Sequence, residues 1–464
     1  MADRLEAIIF NLDNTLLRTD ELNAFRQPMG PPLDVQTARR AREVSGVYEA
    51  VSEIAQDVPI GVVTNSPRTY TERLLGEYFH DVPWRITTTG PVNRLYKPFG
   101  ASIKKAVSTL GSDPSRTAYI GANRHDTLAA YQAGVRPVMT LFQHPKLIEA
   151  YRAGRKESWP LRPHADPSAS NSTTAADDMS ITPEAVVWKP EDLVRLAHEP
   201  AEFLPVLEAF DALNRIPSPY QWLPLDIEVP VDGERKRLGG IALGRYFGKE
   251  KLDASFHQVH SLSQTIASKS HVGMFHAPDH WVDTLAFAIE HMHRVHGIDL
   301  ITVIPAKPGG DPRMERLLDR VAKRLASLGV AVESNPNVFA MTDVGKTRSK
   351  RAADRFDAIQ SSLHVAGAAH DQSVLVLDDV VTTGSTLGAA ALRLLEHGAR
   401  NVKLMALART VSISYWLKEW LDRDCLCEKC GRPLEERTNS KSGQPFLGCS
   451  GYPTCNFTKP KPQP

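Results

Sequence analysis

The sequence predicts a multidomain α/β protein: two parallel-sheet units in succession, then a small module held by metal. Three observations carry this. Short apolar runs alternate with amphipathic stretches through residues 5–142 and again through 299–407, the pattern of buried strands joined by crossover helices. A chain of 464 residues is too long for one core at roughly 150 residues per domain. All five cysteines lie between Cys425 and Cys455, which is the distribution of a local metal site and not of a disulfide framework.

Composition narrows the functional classes. A hydrophobic content of 42% with 23% charged residues suits folded domains, and a net charge of +1 provides no global field to draw the chain to nucleic acid or an anionic membrane. No apolar run reaches the 18 or so residues that span a bilayer, and Glu6 interrupts the apolar start, so a cytoplasmic protein without a membrane partner is expected.

The first unit, 1–154, takes its strands from AIIF, IGVVT, AYIGA and VRPVMTLF. Residues 155–184 are rich in Ser, Thr, Ala, Pro and Asp without apolar period and read as a linker or loop. A short element at Ala185–Trp188 and a helix over Glu191–Ala197 return to the first sheet, so 185–289 combines the end of that domain with a connecting or hood region. The second α/β domain, 290–415, has strands at 299–304, 329–333, 373–377 and 401–407. A cysteine module at 424–458 and a Pro-rich tail at 459–464 complete the chain.

The opening AIIFNLDNTLL resembles the first motif of haloacid-dehalogenase-like (HAD) phosphatases, a Rossmann-like parallel-sheet family. Asn11 stands where that family has its nucleophilic Asp, while Asp13, at the general acid/base position, and Thr15 are kept. Thr64, Lys97 and Asp126 follow in family order, but the usual Gly-Asp pair is Gly121-Ala122. A carboxamide forms no aspartyl-phosphate and is a poor Mg²⁺ ligand. The resemblance implies a pseudo-phosphatase in which Thr64, Lys97 and Asp126 are either a retained phosphate site or polar residues at strand ends. A phosphatase with an unusual active site is the third of three functional readings.

In the second domain the apolar run Val374–Leu377 leads into Asp378 and Asp379, and then into Thr382, Thr383, Gly384, Ser385 and Thr386 at the start of an apolar helix. Backbone N–H groups and hydroxyls of such a loop form a cradle for a phosphate, Gly384 permits close backbone approach, and paired carboxylates accept hydrogen bonds from ribose hydroxyls. VLVLDDVVTTGSTL, Ala406–Thr410 and ITVIPAKPGG together resemble the type I phosphoribosyltransferases, and within them the ComF-like competence proteins. That resemblance implies phosphoribosyl pyrophosphate (PRPP) or a nucleotide as ligand, with Mg²⁺. It makes Pro305–Gly310 the pyrophosphate loop with Lys307 as its charge partner, and it places Lys346–Phe356 in or beside a mobile loop. Asp378, Asp379 and Lys307 are its catalytic candidates.

Cys427-x2-Cys430-x18-Cys449-x5-Cys455 can surround one tetrahedral Zn²⁺, supplying stability that so small a module lacks. The segment resembles, nearly end to end, the four-cysteine finger of bacterial type I topoisomerases, which implies a zinc ribbon binding single-stranded DNA. Tyr452, Phe457 and Phe446 then stack bases, and Arg432, Arg437, Lys441, Lys459 and Lys461 approach phosphates; the alternative is that the aromatics fill the finger's small core. Cys425 is left over. Eight of the sixteen histidines fall between His257 and His296, where core or surface roles outweigh a second metal site.

The leading expectation is a nucleic-acid-associated phosphoribosyltransferase that uses or hydrolyses PRPP or a nucleotide, with a regulatory or inactive HAD-like domain, in DNA repair, uptake, stress or defence. The alternative is a non-catalytic scaffold that senses PRPP or a nucleotide and binds single-stranded DNA. Both are compatible with an oligomer.

Overall fold

A computed structural model describes residues 4–26, 30–89, 97–143, 181–218, 220–231, 234–249, 251–268, 276–342 and 352–414, together with 427, 434–439, 442–449, 452–453 and 455–460. Most of the expected linker and part of the segment Lys346–Phe356 lie outside these residues.

In the first unit, strands β1 (Ala7–Phe10), β2 (Ile60–Thr64), β3 (Ile86–Thr89), β4 (Thr117–Gly121), β5 (Arg136–Thr140) and β6 (Ala185–Val187) form a six-stranded sheet among the described residues. Its order is β3-β2-β1-β4-β5-β6, parallel throughout. The central strands are buried along their length, as both faces are covered by helices and apolar β-branched residues fill them. Helices α1 (Val47–Asp57), α2 (Arg68–Tyr78), α3 (Ala101–Leu110) and α4 (Arg124–Ala133) alternate with the strands. Asn123 starts α4 by accepting hydrogen bonds from the His125 and Asp126 amides, and Gly134, at φ 77°, ends it. Helix α5 (Asp192–His198) buries Leu193, Leu196 and Ala197 in the same core.

The next unit begins with α6 (Val206–Leu213) and the hairpin β7 (Leu223–Val231) and β8 (Glu234–Ala242), followed by β9 (Arg245–Phe247), α7 (Lys251–Val259), α8 (Ser261–Ala267) and α9 (Asp279–His296). Strands β10 (Leu300–Val303), β11 (Glu333–Ser334), β14 (Ser373–Val381) and β15 (Asn401–Val411) supply the rest of a sheet that has seven strands among the described residues. Strands β12 (Phe339–Met341) and β13 (Leu363–Val365) pair separately. The order is β11-β10-β14-β15-β8-β7, with β9 extending beside β15. Helices α10 (Arg313–Ser327), α11 (Ala352–Ser362) and α12 (Ser385–Glu396) complete the unit.

Two local expectations change. The strand expected over 329–333 shrinks to Glu333–Ser334, because Val330 and Val332 pack as a turn against the core below α10. The region 223–247, read from sequence only as connection or hood, supplies three strands of the main sheet, with Gly240–Ala242 running parallel to Leu404–Ala406.

The two units share a buried junction. Leu128, Tyr131 and Ile181 of the first pack with Phe247, Val411 and Ile413 of the second. Arg245, fully buried, reaches Glu208 at 2.6 Å, Glu184 at 3.2 Å and the Tyr131 hydroxyl at 3.1 Å. Burial pushes the Glu208 carboxyl up, but the charges of Arg245 and His260 outweigh it and hold the group at about 2.

At the carboxyl end, β16 (Leu434–Thr438), β17 (Pro445–Cys449) and β18 (Thr458–Pro460) form a small antiparallel sheet, so the expected tail begins inside a strand. Among the described residues no helix is long and apolar enough to cross a membrane.

Candidate functional site

Strands β10 and β14 are parallel neighbours with Val303 opposite Leu377, and the Ile304 amide donates to the Leu377 carbonyl at 2.9 Å. The loops that follow them therefore leave the carboxyl edge of the sheet side by side, where open α/β sheets hold their ligands. One loop is Pro305–Pro312. The other is Thr382–Gly384, leading into α12.

A cavity of 80 Å³ is lined by Asp378 and by Val380 to Leu387. Gly384 adopts φ 77°, and a Cβ there would lie 2.7 Å from Ile227 Cδ1, so this position accepts glycine alone without strain. Hydroxyls tie the loop together: Thr382 Oγ1 to Thr410 Oγ1 at 2.8 Å, and Thr383 Oγ1 to Ser385 Oγ at 2.9 Å. Thr386 stands in the first turn of α12. Backbone amides, hydroxyls and a helix start thus converge on one small concavity, which is suited to a phosphate.

The two carboxylates differ. Asp378 is half-buried and its Oδ1 accepts the Asp379 amide at 2.8 Å. Asp379 is only 4% exposed, and its Oδ2 receives the Arg313 guanidinium, with Nε at 3.0 Å. Lys307 is exposed in a turn closed by the Gly310 amide on the Lys307 carbonyl. Sequence reasoning named Lys307 and missed Arg313, although a basic residue directly behind Gly-Gly-Asp-Pro was the available signal.

In the first unit, the expected HAD-like residues meet at the carboxyl ends of β1, β2 and β4. Asn11 Nδ2 lies 3.2 Å from Asp126 Oδ2 and 2.9 Å from the Asp13 carbonyl. Lys97 Nζ is ion-paired to Asp126 with both side chains buried. Asp13 accepts hydroxyl hydrogens from Thr19 (2.8 Å), Ser66 (2.5 Å), Tyr70 (2.8 Å) and Thr64 (3.3 Å), and Arg26 Nε lies 3.0 Å away. Burial, reinforced by the Asp13 charge, pushes the Tyr70 hydroxyl upward, so it remains a donor. Both oxygens of this carboxylate are therefore engaged by donors of the protein itself. The remaining acid, Asp126, is engaged by Lys97, Asn11 and the Ala122 amide at 3.0 Å. This donor set does not fit Mg²⁺, which needs free oxygen ligands.

In the cysteine module, Cys427, Cys449 and Cys455 are buried, with sulfur atoms all within 4.8 Å of one another. The Cys427–Cys455 sulfur separation of 3.6 Å is far beyond a disulfide and close to the roughly 3.8 Å between thiolates on a tetrahedral zinc. These three cysteines could hold a metal; Cys430, like Arg432 and Lys441, lies outside the described residues. Phe457 is half-buried against this core, whereas Tyr452 is 64% exposed with the Arg437 guanidinium 5.6 Å over its ring. Among the described residues the cysteines form the one metal-competent group. Several of the clustered histidines serve the fold instead, as where His257 Nδ1 meets the Phe247 carbonyl and His293 Nδ1 the Ile298 carbonyl.

Comparison with known proteins agrees with this division. Residues 34–140 match the family model of haloacid dehalogenase-like hydrolases and residues 281–427 that of the phosphoribosyl transferase domain. A DNA topoisomerase 1 of Archaeoglobus fulgidus is 46% identical over 50 residues, 10% of this chain and 7% of that protein, so the likeness is confined to a short segment. The pyrophosphatase PpaX of Bacillus mycoides is 25% identical, covering 32% of this chain and 90% of its own. Among solved structures, CbbY of Rhodobacter sphaeroides with phosphate shares 18% identity at a TM-score of 0.26, covering 29% of this chain and 86% of its own. L-2-haloacid dehalogenase of Xanthobacter autotrophicus shares 14% at 0.30, covering 41% and 98%. The chain thus carries a HAD-like domain at its amino terminus, a phosphoribosyltransferase domain over residues 281–427, and a carboxyl-terminal cysteine group that fits a zinc finger.

Proposed function

We propose that this chain is a ComF-like phosphoribosyltransferase that uses or hydrolyses PRPP or a nucleotide, bears a catalytically silent HAD-like domain, and is brought to single-stranded DNA by a zinc finger. The observation that supports the reading best is the phosphate-sized cradle of Thr382–Thr386 beside Asp378 and Asp379, facing a second loop across adjacent parallel strands. In this reading the cradle holds the 5′-phosphate and Asp378 accepts from the ribose hydroxyls. The bond from C1′ to pyrophosphate oxygen breaks as an acceptor or water attacks C1′, and fixed charges stabilise the departing anion. Mg²⁺ bound with the substrate supplies further neutralisation of the pyrophosphate. Tyr452 and Arg437 offer a stacking surface and a cation to a nucleic-acid strand, as a finger shared in part with a DNA topoisomerase would require. Repair, uptake, stress or defence are the settings that join these parts.

The Arg313–Asp379 pair favours a second reading, in which the pocket binds PRPP or a nucleotide as a signal without turnover. Pyrophosphate release from PRPP and Mg²⁺ by the full chain separates the two. It is measured alone, with free bases and with single-stranded DNA, and Asp378→Asn serves as control. Release abolished in the variant supports the enzyme; saturable binding without release supports the sensor.

A further inference from the structure

We infer that Arg313 is a charge switch: in the empty site it neutralises Asp379, and on ligand binding it turns to the pyrophosphate, releasing the carboxylate toward the ribose. The inference rests on the phosphoribosyl reading above and adds a residue that neither the motif nor the family comparison singles out.

Asp379 has almost no access to water, and an ionised carboxylate in such a place requires a counter-charge. Arg313 provides it through two nitrogens on one oxygen, Nε at 3.0 Å and Nη2 closer still. The guanidinium comes from the first residue of α10, directly behind the loop Pro305–Pro312, and its side chain is 25% exposed against 6% for the carboxylate. One end of this pair therefore touches solvent at the place where a second, more highly charged anion would arrive. A guanidinium binds phosphate oxygens through two parallel N–H bonds at least as well as it binds one carboxylate oxygen.

The rest of the loop makes the requirement sharper. Lys307 lies in an exposed turn, and Arg316 is committed to Asp311. The Ala306 amide is taken by Glu315 Oε1 at 2.8 Å, so an acidic side chain already lies against the loop and adds repulsion to any incoming pyrophosphate. Arg313 is both paired to a carboxylate of the motif and partly exposed. Exchanging partners conserves charge: the guanidinium stays paired, and Asp379 trades one donor for ribose hydroxyls.

The test is calorimetric titration of the full chain, with Mg²⁺, by PRPP, by pyrophosphate and by ribose 5-phosphate, for the native protein, Arg313→Gln and Arg313→Lys. Loss of the fork should weaken PRPP and pyrophosphate by about tenfold or more, while ribose 5-phosphate, which carries no pyrophosphate, changes by less than about threefold or tightens. Arg313→Lys, which keeps the charge and relieves Asp379, should fall between and guards against a folding defect in the glutamine variant. Equal loss of PRPP and ribose 5-phosphate in both variants, or unchanged pyrophosphate affinity, would overturn the switch while leaving the phosphoribosyl site standing. Failure of both PRPP and ribose 5-phosphate to bind the native chain would overturn the site itself.

Discussion

Asn11 and Ala122 show how much a single side chain decides. In the HAD-like pocket every retained polar residue is present, yet each is consumed: Asp13 by three hydroxyls at 2.5 to 2.8 Å and by Arg26, Asp126 by Lys97 and Asn11. Replacing Asn11 with Asp would restore a nucleophile in position but would set a second carboxylate against Asp126, with Ala122 unable to share a cation. Asn11→Asp alone is therefore expected to give no phosphate release from p-nitrophenyl phosphate with Mg²⁺, and release at a measurable rate would show the pocket to be more open than its hydrogen bonds imply. The loss of the two metal-position carboxylates was legible in the sequence. The saturation of Asp13 was not, because Thr19, Arg26, Ser66 and Tyr70 belong to no motif and converge only through the fold.

At the scale of elements, β14 and α12 were legible because a continuous apolar run followed by Asp-Asp and a hydroxyl-rich loop has few alternatives in a parallel sheet. Gly384 fixes their junction. Gly384→Ala places a methyl group against Ile227 in a left-handed backbone, which should cost about 1–3 kcal/mol and lower the melting temperature, with loss of phosphate binding at the cradle. An unchanged melting temperature and unchanged binding would contradict the account. The hairpin β7–β8 was missed although its signals were present. Leu223, Leu225, Ile227 and Val229 alternate with other residues, an Asp-Gly dipeptide stands at 232–233, and Pro224 and Pro230 mark a strand confined to the sheet edge. Its charged continuation Glu234-Arg235-Lys236-Arg237 hid the second strand, whose place beside β15 depends on tertiary pairing. The cysteine spacing was readable for the opposite reason, since metal chemistry acts locally.

Across the whole molecule, the junction around Arg245 makes the HAD-like domain part of the phosphoribosyltransferase domain's support. Strand β9 carries Arg245 toward Glu184, Glu208 and Tyr131 and pairs with β15, whose Thr410 holds Thr382 of the phosphate cradle. Because Glu208 sits at about 2 when folded against an ordinary 4.5, its contribution, about 3 kcal/mol, is present above pH 4.5 and is lost as the pH falls toward 2. Arg245→Ala should cost about 3–5 kcal/mol at neutral pH by taking the guanidinium from the buried Glu208 carboxylate, while Glu184 keeps Arg136, and should flatten the acid limb of melting temperature against pH; a native-like profile would exclude the junction as a stabilising element. The central claim is that the carboxyl edge of the second sheet binds a phosphoribosyl ligand, and the most direct measurement is calorimetric titration of PRPP with Mg²⁺ into the intact protein and into Asp378→Asn. Asparagine keeps the size of the half-buried Asp378 side chain and an oxygen to accept the Asp379 amide, so the variant should keep its melting temperature and bind at least about tenfold more weakly than the native chain. Equal affinity in the two proteins, or no heat of binding in either, would contradict the claim.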